Sequence, residues 1–316
     1  MLTKIKCRKI LKKIFRRIKN KRKLKIIKHS KIYLDKLKIT KKDFEVYIAL
    51  KAFNEDTNLN INDIDIINLS LTSQLFNDKD WNNLKLIKFR FLKSLSLKKY
   101  QALDILKFFE NLELKNCRQL LLSDNALTNL NILKNVGCKK LKDLVLSHNK
   151  LNNLDGLQSK FFYLERLIIS YNQLEDITAL EKINCTDLKI LDLGSNHINN
   201  INILANVEFP ELESLCLADN NIVDIGVLKE VNFKKLKSLF LGYNQIENIS
   251  VLQIVDFEEL EELALFNNKI IDISAFNYKK FPKLCKFDLS NNKIDKTVNK
   301  DIIDMLKISI VTFKCS

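Results

Sequence analysis

The chain has 316 residues, of which 46% are hydrophobic and 29% are charged, and it contains only five glycines and two prolines. This composition excludes collagen-like and low-complexity sequences, and no apolar run reaches the ~18 residues that a membrane-spanning helix needs. The net charge of +15 lies at one end: residues 1–42 hold 19 Lys or Arg and one acid, Asp35, whereas the other 274 residues hold 34 basic and 37 acidic side chains. The overall charge therefore describes the N-terminus and not the body of the protein.

Residues 1–42 form a basic arm with the pattern of an amphipathic helix. Its apolar positions follow the i, i+1, i+4, i+5, i+8 spacing of one helical face: Ile10, Leu11, Ile14, Phe15 and Ile18. Such a segment is suited to an anionic membrane surface or an acidic partner, and it is equally compatible with a cationic extension that has no specific partner. Nucleic acid is disfavoured, because only Phe15 and Tyr33 offer stacking surfaces.

Residues 43–91 are predicted to form an N-terminal cap and a degenerate first repeat. They contain the only tryptophan, Trp81, and the weak pattern Ile66-x-x-Leu69-x-Leu71. The cap is expected because the first unit of a stacked array has no preceding neighbour to cover its apolar side.

Residues 92–294 repeat the pattern Leu-x-x-Leu-x-Leu-x-x-Asn-x-Leu/Ile. The first position of successive units is Leu92, Cys117, Leu141, Leu164, Leu188, Leu212, Leu236, Leu260 and Leu284. Eight units also keep the asparagine: Asn125, Asn149, Asn172, Asn196, Asn220, Asn244, Asn268 and Asn292. The alternating leucines predict a short strand with one buried face, and the Asn amide, which both donates and accepts, is suited to bind backbone groups where the chain turns.

These residues resemble the leucine-rich-repeat family. The resemblance implies an α/β solenoid, a curved right-handed horseshoe with parallel strands on its concave face, that binds a protein. The Asn-x-Ile-x-x-Ile continuation is similar to intracellular repeats such as protein phosphatase 1 regulatory subunits, which implies a phosphatase or signalling partner, although that subclass has shorter units. Bacterial internalin-like proteins are a second relative.

Residues 295–316 are predicted to close the stack as a C-terminal cap. The interval from Thr297 to Lys307 has the pattern of an amphipathic helix, and a final strand is expected from Ser309 to Phe313. The apolar face of that helix would consist of Val298, Ile302, Ile303 and Leu306.

Catalytic and metal-binding patterns are missing from the sequence. There is no glycine-rich phosphate loop, no H-E-x-x-H and no G-x-S-x-G. The seven cysteines form no C-x-x-C pair, and several replace apolar repeat residues, which favours reduced thiols in an intracellular, cytoplasmic protein. We therefore expect a non-enzymatic protein with no cofactor, no metal and no small-molecule substrate.

Residues that alternate with the repeat leucines are predicted to lie on the concave face and to carry the binding function. Phe240, Tyr243 and Phe266 are expected to converge on neighbouring units, with Tyr171 and Ile168 two to three units away. Asp192, Asp219 and Glu262 are expected to form an acidic rim. Exposed aromatic side chains are typical of protein-binding hot spots, although single exposed apolar residues are also common on any surface.

Overall fold

A computed structural model describes residues 68–72, 80–83, 92–112, 114–157, 161–274 and 276–315. The basic arm and most of the segment 43–91 lie outside the described residues. The chain divides into two compact units. The first comprises Met1–Ile66 and Gln74–Arg90, and within it residues 80–83 are helical and Trp81 is buried. The second comprises Ile67–Ser73 and Phe91–Ser316.

The described part of the second unit contains one open, curved sheet of eleven parallel strands that pair in chain order. The strands are β1 (Asn68–Thr72), β2 (Ser94–Lys98), β3 (Gln119–Leu121), β4 (Asp143–Val145), β5 (Arg166–Ile168), β6 (Ile190–Asp192), β7 (Ser214–Cys216), β8 (Ser238–Phe240), β9 (Glu262–Ala264), β10 (Lys286–Asp288) and β11 (Thr312–Lys314). Parallel pairing between consecutive units is what the predicted solenoid requires.

Register is set by the repeat leucines. Leu120 of β3 is aligned with Leu144 of β4, which is aligned with Leu167 of β5, and all three are fully buried. Because successive side chains of a strand point to opposite faces, a shift by one residue would expose this entire row. The weak pattern before residue 92 follows the same rule: Leu69 of β1 is aligned with Leu95 of β2.

Behind the strands, most units turn through a short 3-10 helix. These turns are Asn131–Asn135, Thr178–Lys182, Asn202–Ala205, Gly226–Lys229, Ser250–Gln253 and Tyr278–Lys280. A side-chain oxygen fixes several of them from two residues upstream, as where Asp224 Oδ1 accepts the Gly226 N–H at 2.7 Å. The unit that begins at Leu92 instead contains the helix α1 (Ala102–Asn111), which buries Ile105 and Phe108.

The asparagines that recur at one position of the repeat form a continuous ladder of hydrogen bonds between units. Asn220 Nδ2 donates to the carbonyl oxygens of Leu193 and Leu217 at 3.1 Å each, and its Oδ1 accepts the Ile198 N–H at 3.0 Å. Leu193 and Ile198 belong to the preceding unit, so one amide links two units. The other seven asparagines repeat these contacts, which is the role that the sequence predicts.

The C-terminal elements begin later than the sequence pattern predicts. Helix α2 spans Lys300–Ser309, and Val298, which was expected on its buried face, is 77% exposed. The cause is a turn before the helix, in which Asp295 Oδ1 accepts the Thr297 N–H at 2.8 Å. Asn299 is buried, accepts the Ile273 N–H at 3.1 Å and donates to the Asp295 carbonyl at 2.9 Å, so it ties the start of the cap to the last repeats at a position outside the asparagine ladder.

Cysteines occupy core positions of the repeat. Cys117, Cys138 and Cys185 are buried, and all six cysteines in the described ranges are free thiols. Cys138 and Cys185 stand in the row that later units fill with Phe209, Phe233 and Phe257, which are fully buried. These thiols therefore act as small apolar core residues.

Charged side chains also stack from unit to unit, and they alternate in sign. The position after the first leucine runs Lys142, Glu165, Lys189, Glu213, Lys237 and Glu261. Glu165 pairs with Lys142 and, at 3.6 Å, with Lys189; Glu213 pairs with Lys237 at 2.7 Å. Equivalent positions lie one strand spacing apart, about 4.8 Å, so a row of like charges would repel.

We predict that Asn220→Ala lowers the free energy of unfolding by roughly 1–3 kcal/mol, because the backbone groups that the amide binds would be left buried without partners. Urea denaturation monitored by circular dichroism measures the change. Asn221→Ala is the matched control, since Asn221 is the next residue in the chain and its side chain is exposed. A midpoint for Asn220→Ala equal to that of the control would contradict the role assigned to the ladder.

The charge row predicts a pH dependence of stability. Hydrogen bonds from Lys142 and Lys237 lower the pKa of Glu165 and of Glu213. A carboxyl whose pKa is lower in the folded state stabilises the fold above its unfolded pKa, and this contribution is lost as the pH falls.

The double variant Lys142→Met/Lys237→Met should therefore be less stable than the wild type at pH 7, and the difference should shrink below about pH 4.5. Thermal melts at pH 7 and pH 3 measure it. The single variant Lys234→Met removes a lysine that forms no ion pair in the described part of the chain, and it should show no such convergence. Parallel melting curves for the double variant at both pH values would refute the assignment.

Candidate functional site

The exposed face of the sheet has a central row, contributed by the residue between the second and third repeat leucines. In register, the row runs Ser96, Leu121, Val145, Ile168, Asp192, Cys216, Phe240, Ala264 and Asp288. Three neighbours, Leu121, Val145 and Ile168, form an aliphatic patch; the first two are half-buried and Ile168 is 8% exposed. Of these three residues the predicted site included only Ile168, although the aligned repeats already place Leu121 and Val145 beside it.

Asp192 follows the aliphatic patch in the central row, and its carboxylate is oriented by a backbone donor. Its Oδ1 accepts the Gly194 N–H at 3.0 Å, and Cys216 of the next strand lies beside it in the row. Burial, together with the nearby Asp192 charge, raises the pKa of Cys216 to about 12. Cys216 therefore stays protonated at neutral pH.

Phe240, Tyr243 and Phe266, which we call the aromatic cluster, belong to the two units that follow the unit of Cys216. The rings of Tyr243 and Phe266 meet edge to face, with centroids 5.2 Å apart at 83°. The Phe266 ring covers Gly242, because a Cβ added to that glycine would lie 2.7 Å from Phe266 Cε1. The six preceding units have Ser, Gly or Ala at the position of Phe266, and this ring fits because its immediate neighbour, Gly242, has no side chain.

The residues before the eight ladder asparagines, together with Lys99 at the equivalent position of the Leu92 unit, form a turn row with left-handed backbone. Within the described ranges nine non-glycine residues adopt φ between 51° and 60°: Lys99, Asp124, His148, Tyr171, Ser195, Asp219, Tyr243, Asn267 and Asn291. This conformation costs a non-glycine residue about 1–2 kcal/mol, and sequence reasoning missed it because the row contains no glycine.

Two tyrosines of the turn row are prominent on the surface. Tyr171 and Tyr243 are each 55% exposed. Tyr171 stacks on His148 with ring centroids 4.3 Å apart and nearly parallel planes. His148 is itself an exposed residue of the turn row, and it lies against one of the predicted site residues.

The three predicted acids do not form one rim. Asp192 lies in the central row, Asp219 is exposed in the turn row beside Tyr243, and Glu262 lies at the start of β9. Glu262 pairs with Lys286 at 3.5 Å. Among the described residues, neither Asp192 nor Asp219 forms an ion pair. The charge available to a partner therefore lies inside the face, between the aliphatic patch and the aromatic cluster.

No part of the described chain shows a metal centre or a membrane span. It contains no group of three His, Cys, Asp or Glu side chains suited to a metal ion, and no helix long and apolar enough to cross a membrane. A cleft between the turns that follow β5 and β6 is lined by Glu175, Asp176, Thr178 and asparagines. Asp176 already caps the Thr178 N–H at 2.7 Å, so its carboxylate has a structural role.

Comparison with known proteins supports the repeat assignment. Residues 210–253 match a family model for leucine-rich repeats in two copies. The functional domain of InlJ from Listeria monocytogenes, described as including a cysteine ladder, is similar with a TM-score of 0.54 and 20% identity, over 81% of this chain and 54% of that one. No curated protein sequence matches this chain.

Two further similar structures contain bound partners. TLR13, solved with ssRNA13, has a TM-score of 0.54 and 23% identity over 68% of this chain. The Arabidopsis receptor kinase HAESA, solved with the peptide hormone IDA and the co-receptor SERK1, has a TM-score of 0.53 and 24% identity over 73% of this chain. This chain spans 34% and 39% of those two chains. The likenesses confirm the predicted solenoid fold; none of the three is a phosphatase subunit, so that partner stays a prediction.

We predict that Gly242→Ala displaces the Phe266 ring and lowers the free energy of unfolding by roughly 1 kcal/mol, as small-to-large changes in packed sites do. In a Phe266→Ser background, which restores the residue of other units, the same change should be nearly neutral. A double-mutant cycle from urea denaturation measures this coupling. If the effects of Gly242→Ala and Phe266→Ser were additive, the packing of the Phe266 ring would not depend on the absence of a Cβ at residue 242.

Proposed function

We propose that this chain, which has the fold of a leucine-rich-repeat solenoid and matches a leucine-rich-repeat model over residues 210–253, is a non-enzymatic scaffold or adaptor that binds another protein on the concave face. The fold is typical of protein-interaction scaffolds. The observation that carries the proposal is the aromatic cluster: Phe240, Tyr243 and Phe266 present ring surface on a sheet face whose neighbouring positions are small. Exposed aromatic residues in such a setting are typical of binding hot spots.

The partner class follows from the sequence resemblance and from the chemistry of the face. The resemblance to intracellular repeats favours a phosphatase or another signalling protein. An intracellular location is part of this proposal, and the free thiols of the described cysteines support it. The bound peptide hormone of HAESA is consistent with a peptide or protein partner here.

A second candidate function rests on the basic arm. With 19 basic residues and one acid in residues 1–42, the arm is suited to an anionic membrane surface or to nucleic acid, and the protein would then act through the arm rather than the sheet. TLR13, a protein of similar fold, was solved with ssRNA. The described concave face of this chain, however, exposes Asp192 and Asp219 without ion-pair partners, and these acids repel phosphate groups.

We expect Phe240→Ala and Tyr243→Ala to reduce capture of the partner by roughly tenfold or more, since hot-spot truncations cost about 2 kcal/mol or more. Both variants should retain the wild-type melting temperature, because both side chains are partly exposed. Affinity purification from cell extract with quantitative mass spectrometry measures the loss. Val223→Ala is the control, since Val223 is 54% exposed, close to the 55% of Tyr243, but lies outside the central and turn rows.

Deletion of residues 1–42 separates the two candidates. Retention of the same partner by the deleted protein, together with its loss in Phe240→Ala, supports the concave face. Loss of all association on deletion, with unchanged capture by Phe240→Ala, would refute the proposal in favour of the arm.

A further inference from the structure

We infer that the segment bound on the concave face is an extended peptide with two hydrophobic side chains four residues apart and a lysine or arginine midway between them. The inference rests on the proposed function and specifies its ligand. Three observations carry it: the distance between the two apolar groups, the unpaired acids between them, and the width of the surface beside them.

The distance between the apolar groups selects the spacing of the anchors. Ile168 of the aliphatic patch and Phe240 of the aromatic cluster occupy the same row of β5 and β8. Three strand steps of about 4.8 Å separate them by roughly 14 Å. An extended chain advances about 3.4 Å per residue and presents alternate side chains on one side, so residues i and i+4 are also about 14 Å apart and face the same way.

The charge between the two groups selects the residue in the middle. Asp192 lies one step from Ile168 and two from Phe240, and its carboxylate is oriented by the Gly194 N–H at 3.0 Å. Asp219 adds a second charge in the neighbouring unit. Other acids of the face are neutralised, as Glu262 is by Lys286 and Asp288 by Lys314. A cation at i+2 would supply the missing partner through a charge-assisted hydrogen bond.

The width of the surface favours an extended chain over a helix. Between the central row and the turn row lies a strip of small residues: Ser123, Ser147, Ser170, Gly194, Ala218 and Gly242. Phe266 closes this strip at one end by covering Gly242. A helix is about 10 Å across with its side chains, so it would rest on the larger side chains of both the central row and the turn row. A single extended backbone is narrower and fits between these rows, along the strip.

Near Asp192, positive charge on the face lies on the opposite side of the central row, whereas Lys98 and Lys99, on the side of the strip, belong to the distant unit that begins at Leu92. Arg166 is exposed at the start of β5, two residues before Ile168, and Asp143 aligns with it in β4. The strip lies beyond Ile168 on the other side, towards Tyr171. A peptide in the strip would therefore place its cation near Asp192 and away from Arg166.

Synthetic nine-residue peptides test the inference by fluorescence anisotropy with the full chain. The matched probes carry Leu, Arg and Phe at positions three, five and seven among Ser and Thr, in this order and in the reverse order. Comparison probes place the anchors three or six residues apart, or replace Arg by Gln or Glu. At least one matched probe should bind roughly tenfold tighter than its comparison probes, a difference of about 1.4 kcal/mol.

Asp192→Asn keeps an oxygen that can accept the Gly194 N–H and removes only the charge. It should weaken the matched Arg probe roughly tenfold and leave the Gln probe unchanged, so the two bind alike. Asp187→Asn makes the same change at an exposed position before the first leucine of the unit, and it should leave both probes unaffected.

Binding that ignores anchor spacing, an Arg preference that survives Asp192→Asn, or no binding by any probe would each overturn the inference. These failures are distinct from failure of the proposed function. If partner capture still depends on Phe240 and Tyr243, the concave face binds a ligand of another form; if it does not, the face itself is not the site.

Discussion

A folded turn must provide hydrogen bonds for backbone groups that it removes from water, and in eight of the nine units of this protein one asparagine amide provides them. Each amide bonds to carbonyl groups of its own and of the preceding unit, and it accepts an N–H from that preceding unit, as Asn220 does for Ile198. In these units the chain leaves the sheet at the same point, with the same backbone hydrogen bonds satisfied. The alignment of the strands, and thus every row on the exposed face, depends on this interaction.

Because the units stack, each residue lies beside the residues at the equivalent position of the two neighbouring units. The size and charge of one side chain therefore restrict which side chains fit at that position in the next unit. The charged row after the first leucine alternates in sign, with Glu165 between Lys142 and Lys189. The large ring of Phe266 occurs beside Gly242, whose missing side chain leaves room for it. The same neighbour relation brings Tyr171 against His148. Surface chemistry in this fold is therefore organised by rows rather than by single residues.

Much of the fold could be predicted from the sequence, because the regular spacing of the repeat leucines indicates which residues are buried. The strands, the register of Leu120 with Leu144 and the asparagine ladder follow from spacing alone. The C-terminal helix was placed three residues early because apolar spacing gives no signal for the Asp295 turn that delays it. The candidate site was predicted less completely. The expected acids fall in different rows, and the ion pair of Glu262 with Lys286 and the partners of Asp192 depend on side-chain directions that spacing does not contain.

The left-handed turn row has a consequence for how this protein could change. Its nine residues hold a backbone conformation imposed by the stack, and Asn or Gly would adopt it at lower cost than Tyr. Laboratory selection for heat resistance alone would therefore tend to exchange Tyr171 and Tyr243 for those residues. The more stable proteins obtained in this way would have lost the two most exposed rings of the concave face, so stability and recognition oppose each other at these two positions.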